Sequence, residues 1–581
     1  MLVLFGISAW LFSRATVINS ELLSATSLVK TLKSQIAAKD AAGAAETVDD
    51  LVQHTTSARE AANDPLWKAT SVIPWVGPNL VAASEIATSA DDVARLGAVP
   101  LVNAFESLDW HTLRPTPDGI DLKPLTSAAP QVQAASHAVR ETSKRLAAID
   151  STALVPQVSG PLLQAQVELS SISGQLDTAA DAAVLAPSML GADVPRTYLL
   201  LMQNSAESRS TGGIPGALAV LRVDHGKISL ESQTSAGALG SFAPPIPTDS
   251  EEAAIYSGRI GKFMQDVNLT PDFATTGSVA VSMWETRTGE KLDGALSLDP
   301  VALSYLLKAT GPVQITDPTL ARAGRGLPSE LNSGNVVKTL LSDTYASIKD
   351  PKLQDAYFAG AAKEIFSAFS AGNSNAEALM DAVSQGVAER RILIWSKMEP
   401  EQKILGKYPL AGLVSGPSVS PTQFGIYFND GTGAKMDYWV KRTVKVVRDC
   451  TKDGYREVSI RVTSTNTAPS DAAKSLPDYV TGGGAYGVPP GSVQTNVVAY
   501  GPSQSNIDTV VKDGKKIAFA AQRHEQRAVG TSTILLGPGE STSLDFNFGH
   551  IVQHSDPKIV VTPTTQAVKD VLQDATPSPC E

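Results

Sequence analysis

The chain has 581 residues, 43% of them hydrophobic, which is enough for several cores and too many for one. That composition excludes global disorder. The formal net charge of −11, without any block of like charge, excludes a dedicated nucleic-acid binder, which would need a basic face.

The chain opens on MLVLFGISAWLFSR, apolar from Met1 to Phe12. Twelve residues span about 18 Å as a helix, short of the roughly 30 Å hydrocarbon core. With no basic start and no cleavage site, 1–16 reads as the truncated end of a transmembrane anchor, with an ordinary buried helix start as the alternative. The expected localisation is therefore the cell membrane, single-pass, with the bulk of the chain extracytoplasmic and the membrane reached through this N-terminal helix.

Residues 17–190 read as a helical bundle or stalk. Leu162, Ala165, Leu169, Ile172, Leu176, Ala179 and Ala183 follow a three-four spacing of coiled-coil type, and Val132, Ala135, Val139, Leu146 and Ile149 repeat it. From Arg196 the pattern changes. Tyr198–Met202 is a continuous apolar run and reads as a buried strand, Ala217–Val223 and Lys227–Gln233 as a hairpin. Strands then alternate with helices near 250–262, 274–289, 300, 334–347, 352–371 and 374–389, which predicts a mixed α/β layered domain over 195–410. Strand patterns such as Glu457–Thr463, Val493–Tyr500 and Ser543–Phe548 predict an all-β, sandwich-like domain over 420–565, followed by a tail over 566–581. The loop 470–492 is long enough to be functional.

Three places could carry chemistry. Gln203–Gly216 holds Arg209, Ser210, Thr211, Gly212 and Gly213. It reads either as a loop in which glycine N–H groups, hydroxyls and an arginine grip a phosphate, or as a structural turn. Asp266 and Asp272 flank a polar loop before a helix, either as oxygen ligands for a divalent cation such as Mg²⁺ or with Asp272 capping that helix. Arg322 and Arg325 are phosphate-facing or solvated. No Gly-x-Ser-x-Gly elbow in strand-turn-helix context and no His-Glu-x-x-His occurs, and His550 with His554 reads either as a metal-binding pair on one strand face or, more commonly for such a pair, as ordinary surface histidines. Any catalysis would have to be of the phosphoryl-transfer kind, where positioning and charge neutralisation dominate. Cys450 and Cys580, the two cysteines, are either a disulfide tying the tail to a strand in an oxidising space or two free thiols.

The runs RTYLLLMQNSAESRSTGGIPGALAVLRVDHGKISL, DVNLTPDFATTGSVAVSMWE and LDGALSLDPVALSYLLKATGPV resemble the signatures of a bacterial, actinobacterial-type membrane-anchored family called domain of unknown function 4012. ERRILIWS and GIYFNDGTGAKMDYWV are similar to its later signatures, so the resemblance covers 195–450. It implies a helical stalk before this region and a β-domain after it. DGALSLDPVALSYLLKATGPVQI has a weaker similarity to the LytR–CpsA–Psr glycopolymer ligases, which grip a polyprenyl pyrophosphate with arginines and a magnesium-binding aspartate. That likeness implies catalytic roles for Arg209 and Asp266, although the ligases' Arg-Asp motif is absent here. Two functions are expected on this basis. One is a cell-envelope protein that binds or transfers a polyprenyl-pyrophosphate-linked glycopolymer. The other is a non-catalytic envelope scaffold or interaction protein.

Overall fold

A computed structural model of the chain describes residues 2–107, 116, 119–370 and 376–578. The chain divides into two compact units, Met1–Leu113 with Ile120–Val194, and Arg114–Gly119 with Pro195–Glu581.

The first unit is helical: α1 (Leu2–Ala37), α2 (Ala41–Ala62), α3 (Pro65–Thr70), α4 (Gly77–Asp92), α5 (Val99–Ser107), α6 (Lys123–Ala147) and α7 (Pro156–Met189). Its contacts rest on small residues, with Ala44, Ala58, Ala62, Ala87 and Ala135 fully buried, so the helices approach closely. Ala135, Val139 and Leu146 of α6 are buried, whereas Ala179 of the expected α7 seam is exposed and Ala180 is buried instead.

The expected transmembrane anchor over 1–16 is corrected. Its described residues are the first turns of α1, and among the described residues no helix is long and apolar enough to cross a membrane. The physical reason is that the apolar run stops early. From Arg14 onward α1 carries charge, and it buries Ile18, Ala25 and Leu32 against its neighbours as a bundle helix does.

The second unit begins with a five-stranded sheet built from β1 (Arg196–Arg209), β2 (Gly212–Asp224), β3 (Lys227–Ser235), β4 (Gly294–Leu298) and, after the short ribbon β5 (Val313–Gln314) and β6 (Glu330–Leu331), β7 (Leu393–Ser396). The strand order is β3-β2-β1-β4-β7, and only β1 and β4 are parallel, with Tyr198 opposite Gly294 and Met202 opposite Leu298. The segments between these strands include the helices α8 (Ser250–Tyr256), α9 (Phe273–Thr288), α10 (Pro300–Thr310) and α11 (Pro318–Ala323). The Gln203–Gly216 stretch, read from sequence as a loop, is instead the end of a hairpin. β1 continues through Arg209, with irregularities after Met202 and after Asn204, and β2 starts at Gly212.

Two further five-stranded sheets enclose one core. They are formed by β8 (Gln423–Asp430), β9 (Val440–Lys452), β10 (Tyr455–Asn466), β11 (Val493–Ser503), β12 (Asn506–Lys512), β13 (Lys515–Ile517), β14 (Ala520–His524), β15 (Arg527–Leu536), β16 (Ser541–Ile551) and β17 (Lys558–Val561). One sheet has the order β13-β12-β16-β10-β9, the other β14-β15-β11-β8-β17. Phe424, Ile426, Phe428, Ile460, Phe546 and Phe548 lie between them. The tail runs along β9: the N–H groups of Gln573, Thr576 and Ser578 donate to the carbonyls of Val444, Val446 and Val447. Cys450, on β9, is not a free thiol. Cys580 lies outside the described residues.

The α/β layer and the β-sheets belong to one unit because charged residues bridge them. Arg391, whose side chain is 0% exposed, pairs with Asp299 at 2.6 Å and Glu389 at 2.7 Å. It also donates to the carbonyls of Thr564 at 2.9 Å and Gln566 at 2.8 Å. Removing one partner of a buried pair strands the other charge, which costs about 3–5 kcal/mol. Arg391→Ala is therefore expected to lower the stability of this unit by about that amount, measured as a shift in its urea unfolding midpoint, whereas substitution of the exposed Arg322 leaves the midpoint unchanged.

Candidate functional site

The tip of the β1–β2 hairpin is buried, so each of its polar groups needs a partner. The Ser208 N–H donates to Asp437 Oδ2 at 2.9 Å and the Ser210 N–H to Asn429 Oδ1 at 3.0 Å. Thr211 Oγ1 accepts from the side-chain amides of Gln203 and Asn268, both at 2.9 Å. The Gly213 N–H donates to Gln203 Oε1 at 3.1 Å. A Cβ on Gly213 would lie 2.2 Å from the Asn204 carbonyl, so only glycine fits there. Ser210, Thr211 and Gly213 thus fasten the hairpin to its neighbours through the N–H groups of Ser210 and Gly213 and the hydroxyls of Ser210 and Thr211. Gly212, at φ +142°, makes the turn.

Arg209 and Asp266 do meet. Arg209 Nη2 lies 3.3 Å from Asp266 Oδ1, and the other carboxylate oxygen lies 2.6 Å from Arg259 Nη2. Arg209 and Asp266 are buried and Arg259 is exposed. All three line a cavity of about 930 Å³. Three further groups of residues complete it. The carboxylates of Glu207 and Asp430 face it, the amides of Asn429, Gln494 and Asn496 supply donors and acceptors, and the rings of Tyr256, Phe263 and Tyr486 supply flat apolar faces. Tyr486 is 74% exposed and sits over Gly433, where φ is +66° and a Cβ would come within 2.5 Å of the ring. Burial, and then the neighbouring Asp437, push the Asp430 carboxyl well above the usual carboxylate range.

A second cavity, of about 350 Å³, lies at the carboxyl ends of β1 and β4. Met202, Leu298, Leu303, Leu340, Leu341 and Phe358 make its walls. At its polar end the Lys435 ammonium pairs with Glu207 and stands 4.1 Å from the centroid of the Tyr479 ring. Glu207, Ile214 and Gln265 line both cavities, and Gln265 Oε1 is buried without a partner.

The other sequence candidates lie elsewhere. Asp272 caps α9, accepting from the N–H groups of Ala274 at 2.9 Å and Thr275 at 3.2 Å, and also from Val414 at 3.2 Å. Arg322 and Arg325 are exposed on and just after α11, and neither lines either of these two cavities. Among the described residues no group of three or more His, Cys, Asp and Glu side chains is placed to hold a metal ion. His550 stacks on Tyr455 with 4.8 Å between ring centroids.

Arg259, Asp430, Lys435 and Tyr486 were not singled out by sequence reasoning. The signal for Asp430 was present: β8 is buried throughout, so its terminal Asn429-Asp430 puts polar groups in the interior.

Residues 193–345 match the family model described as "Protein of unknown function (DUF4012)", so this region is similar to that family. No curated protein and no solved structure matches the chain.

Beneath Tyr256 lies a buried acid. Glu252 accepts from Thr270 Oγ1 at 2.6 Å and lies 3.8 Å from His524 Nε2, while Tyr500 bridges Tyr256 at 2.9 Å and His524 at 3.0 Å. Burial pushes the Glu252 carboxyl up to about 7. A raised folded-state value means that the folded protein binds the proton more tightly than the unfolded chain. This contribution to stability is therefore complete below about pH 4.5 and declines as pH rises to about 7. Glu252→Gln is expected to flatten that decline and to be more stable than the parent at pH 8, measured by urea unfolding across the range. An unchanged pH profile would rule out this role for Glu252.

Proposed function

We propose that the second unit binds a lipid-linked glycan, with the saccharide in the polar cavity and the apolar chain in the neighbouring apolar one. The observation that carries this reading is the shared wall: Glu207, Ile214 and Gln265 belong to both cavities. Amides, carboxylates and an arginine can pair with sugar hydroxyls, and aromatic faces can cover the C–H faces of the rings. The apolar cavity supplies burial for a hydrocarbon chain, at about 0.8 kcal/mol per CH₂.

The reading is one of binding rather than transfer. Asp266 is held between Arg209 and Arg259, so a pyrophosphate would have to compete with Asp266 for its arginines. A magnesium-dependent transferase needs Arg209 and Asp266 free for phosphate and metal, and their pairing argues against it.

Calorimetric titration of the full chain with farnesyl-pyrophosphoryl-N-acetylglucosamine, its phosphate-free farnesyl glycoside and free N-acetylglucosamine tests this. Both farnesyl compounds are expected to bind at least about tenfold more tightly than the free sugar, a difference of about 1.4 kcal/mol. Leu303→Trp, which fills the apolar cavity, is expected to abolish that advantage, and Tyr486→Ala to weaken all three. Equal affinity with and without the chain would sink the proposal.

The proposed setting is extracytoplasmic, with Cys450 and Cys580 joined. Ser578 pairs with Arg448 in parallel fashion, and each cysteine follows its member of that pair by two residues. The bond would close a loop of about 130 residues, for which the entropy model gives on the order of 4–5 kcal/mol. Protein prepared without reductant is expected to show no reactive thiol on labelling after denaturation, and two after reduction. Two thiols before reduction would refute the bond.

A further inference from the structure

The face of β9, β10 and β16 turned away from the core carries charges that its own packing does not explain. Val444, Val446, Ile460, Val462, Leu544 and Phe546 lie in the core, so the residues alternating with them point outward. Lys445 of β9 stands directly opposite Arg461 of β10, and Arg461 opposite Asp545 of β16. Arg461 takes up Asp545, donating from Nε and Nη2 to its two oxygens at 2.7 and 2.8 Å. Lys445 is left facing a like charge across the ladder, which is a destabilising pairing. Glu457 and Asp449, on the same two strands, are paired as well, with Arg448 at 3.3 Å and Arg456 at 2.6 Å. Among the described residues no ion pair reaches Lys445.

A β-bulge brings a further cation to this face. Arg448 stands opposite Ser459 and Val446 opposite Ile460, so Val447 is an extra residue in β9. Strict alternation after Val446 would turn Arg448 toward the core, and the bulge returns it to the outer face. Lys445, Arg448 and Arg461 thereby line one hollow of about 410 Å³ together with Asp545, Ser459 and Asn547. The tail contributes Thr576 and Ser578, whose N–H groups donate to the carbonyls of Val446 and Val447. The Ser459 hydroxyl donates to Asn547 Oδ1 at 2.6 Å and that of Ser578 to Val447 O at 3.3 Å. The Lys445 ammonium and the Thr576 hydroxyl are the donors of the hollow left for a ligand.

We propose that this hollow binds a water-soluble phosphodiester, at a site separate from the two cavities described above. Charge complementarity carries the assignment. Arg448 and Arg461 are each matched by an acid, so one positive charge, that of Lys445, remains, equal and opposite to the single charge of a phosphodiester. A carboxylate is gripped best by a free guanidinium fork, and here the fork of Arg461 holds Asp545 and Arg448 is held by Glu457. An ammonium is instead a point charge suited to a phosphate oxygen, and the Thr576 hydroxyl can donate to a second oxygen. Val447 is the one apolar side chain among the lining residues, so the acyl chains of a phospholipid would find no surface to cover.

Broadening of the phosphorus NMR line of glycerophosphoglycerol by the full chain tests the proposal. The parent is expected to broaden it, Lys445→Gln to weaken binding at least about tenfold, and Arg259→Gln, in the polar cavity, to bind as the parent does. Excess acetate should not displace the diester. Stability gives a readout that misfolding cannot imitate. Removing a charge that faces its like should leave the urea unfolding midpoint of Lys445→Gln at or above that of the parent. A lower midpoint would overturn the proposal, because Lys445 would then have stabilising partners of its own. Absence of broadening, unchanged binding in Lys445→Gln, or displacement by acetate would overturn it too. Loss of binding in Arg259→Gln alone would move the diester to the polar cavity, and pelleting with phosphatidylglycerol vesicles that depends on Lys445 would assign the hollow to lipid; either result would refute the site as proposed.

Discussion

A hairpin tip driven into the interior of a protein must bring or find partners for its backbone, and the second unit is organised around that requirement. At Ser208 and Ser210 the partners are Asp437, in the turn between β8 and β9, and Asn429 of β8. Thr562 completes the fastening: its hydroxyl donates to Ser210 O and accepts the N–H of Phe428, both at 3.0 Å. Each unmade bond of this kind would cost about 1–3 kcal/mol. The α/β layer and the β-sheets are therefore joined by obligatory polar contacts as well as by apolar area. Thr564 and Gln566, a few residues further along the same segment, receive Arg391. One short stretch of chain, 562–566, holds the hairpin tip and the capped start of α10 together.

The buried arginines show how a structural role differs from a candidate ligand role. Arg391 uses all three of its guanidinium nitrogens on two carboxylates and two carbonyls. Arg527 forms no ion pair among the described residues and is held by the carbonyls of Gly501, Val414 and Gln423. In both, every guanidinium nitrogen already donates to the protein. Arg209 has a buried Nε with no partner and faces a cavity. That residual capacity, rather than its charge, distinguishes it.

The order of elements was legible because periodicity reports burial. The apolar run of β1, the alternation in β10 and the capping aspartate before α9 each express a local rule that the tertiary structure left intact. What could not be read was set at long range. Gln203–Arg209 is polar and glycine follows it, which locally signals a loop. It is a strand because Asp437 and Asn429, more than two hundred residues away, satisfy its tip. The apolar start of α1 carried the opposite lesson: twelve residues set an expectation of a membrane segment that the full 36-residue helix, charged from Arg14, does not meet. Of the site, Arg209 and Asp266 were found because an arginine and an acid in two polar stretches are conspicuous. Tyr486 lies in the 470–492 loop, which its length had marked, and Lys435 in the GIYFNDGTGAKMDYWV run, but nothing local singles out either residue within its stretch.

The character of the apolar cavity follows from how α10 begins. In α/β sheets a crevice at the carboxyl ends of parallel strands is a common ligand site, and a helix N-terminus there attracts anions. Here β1 and β4 are the parallel pair, and α10 starts directly after β4. Its anion-binding capacity is already taken up by its own cap. Asp299 Oδ1 accepts from the Ala302 N–H at 2.8 Å, and Oδ2 is paired with Arg391. A second anion at this helix start would meet the charge of Asp299 and gain little from the dipole. The cavity beside it is accordingly walled by leucines and Met202, and the nearby lysine is matched by Glu207. The fold thus places its polar recognition on one side of Glu207, Ile214 and Gln265 and its apolar space on the other, an arrangement that suits a ligand with two chemically unlike ends.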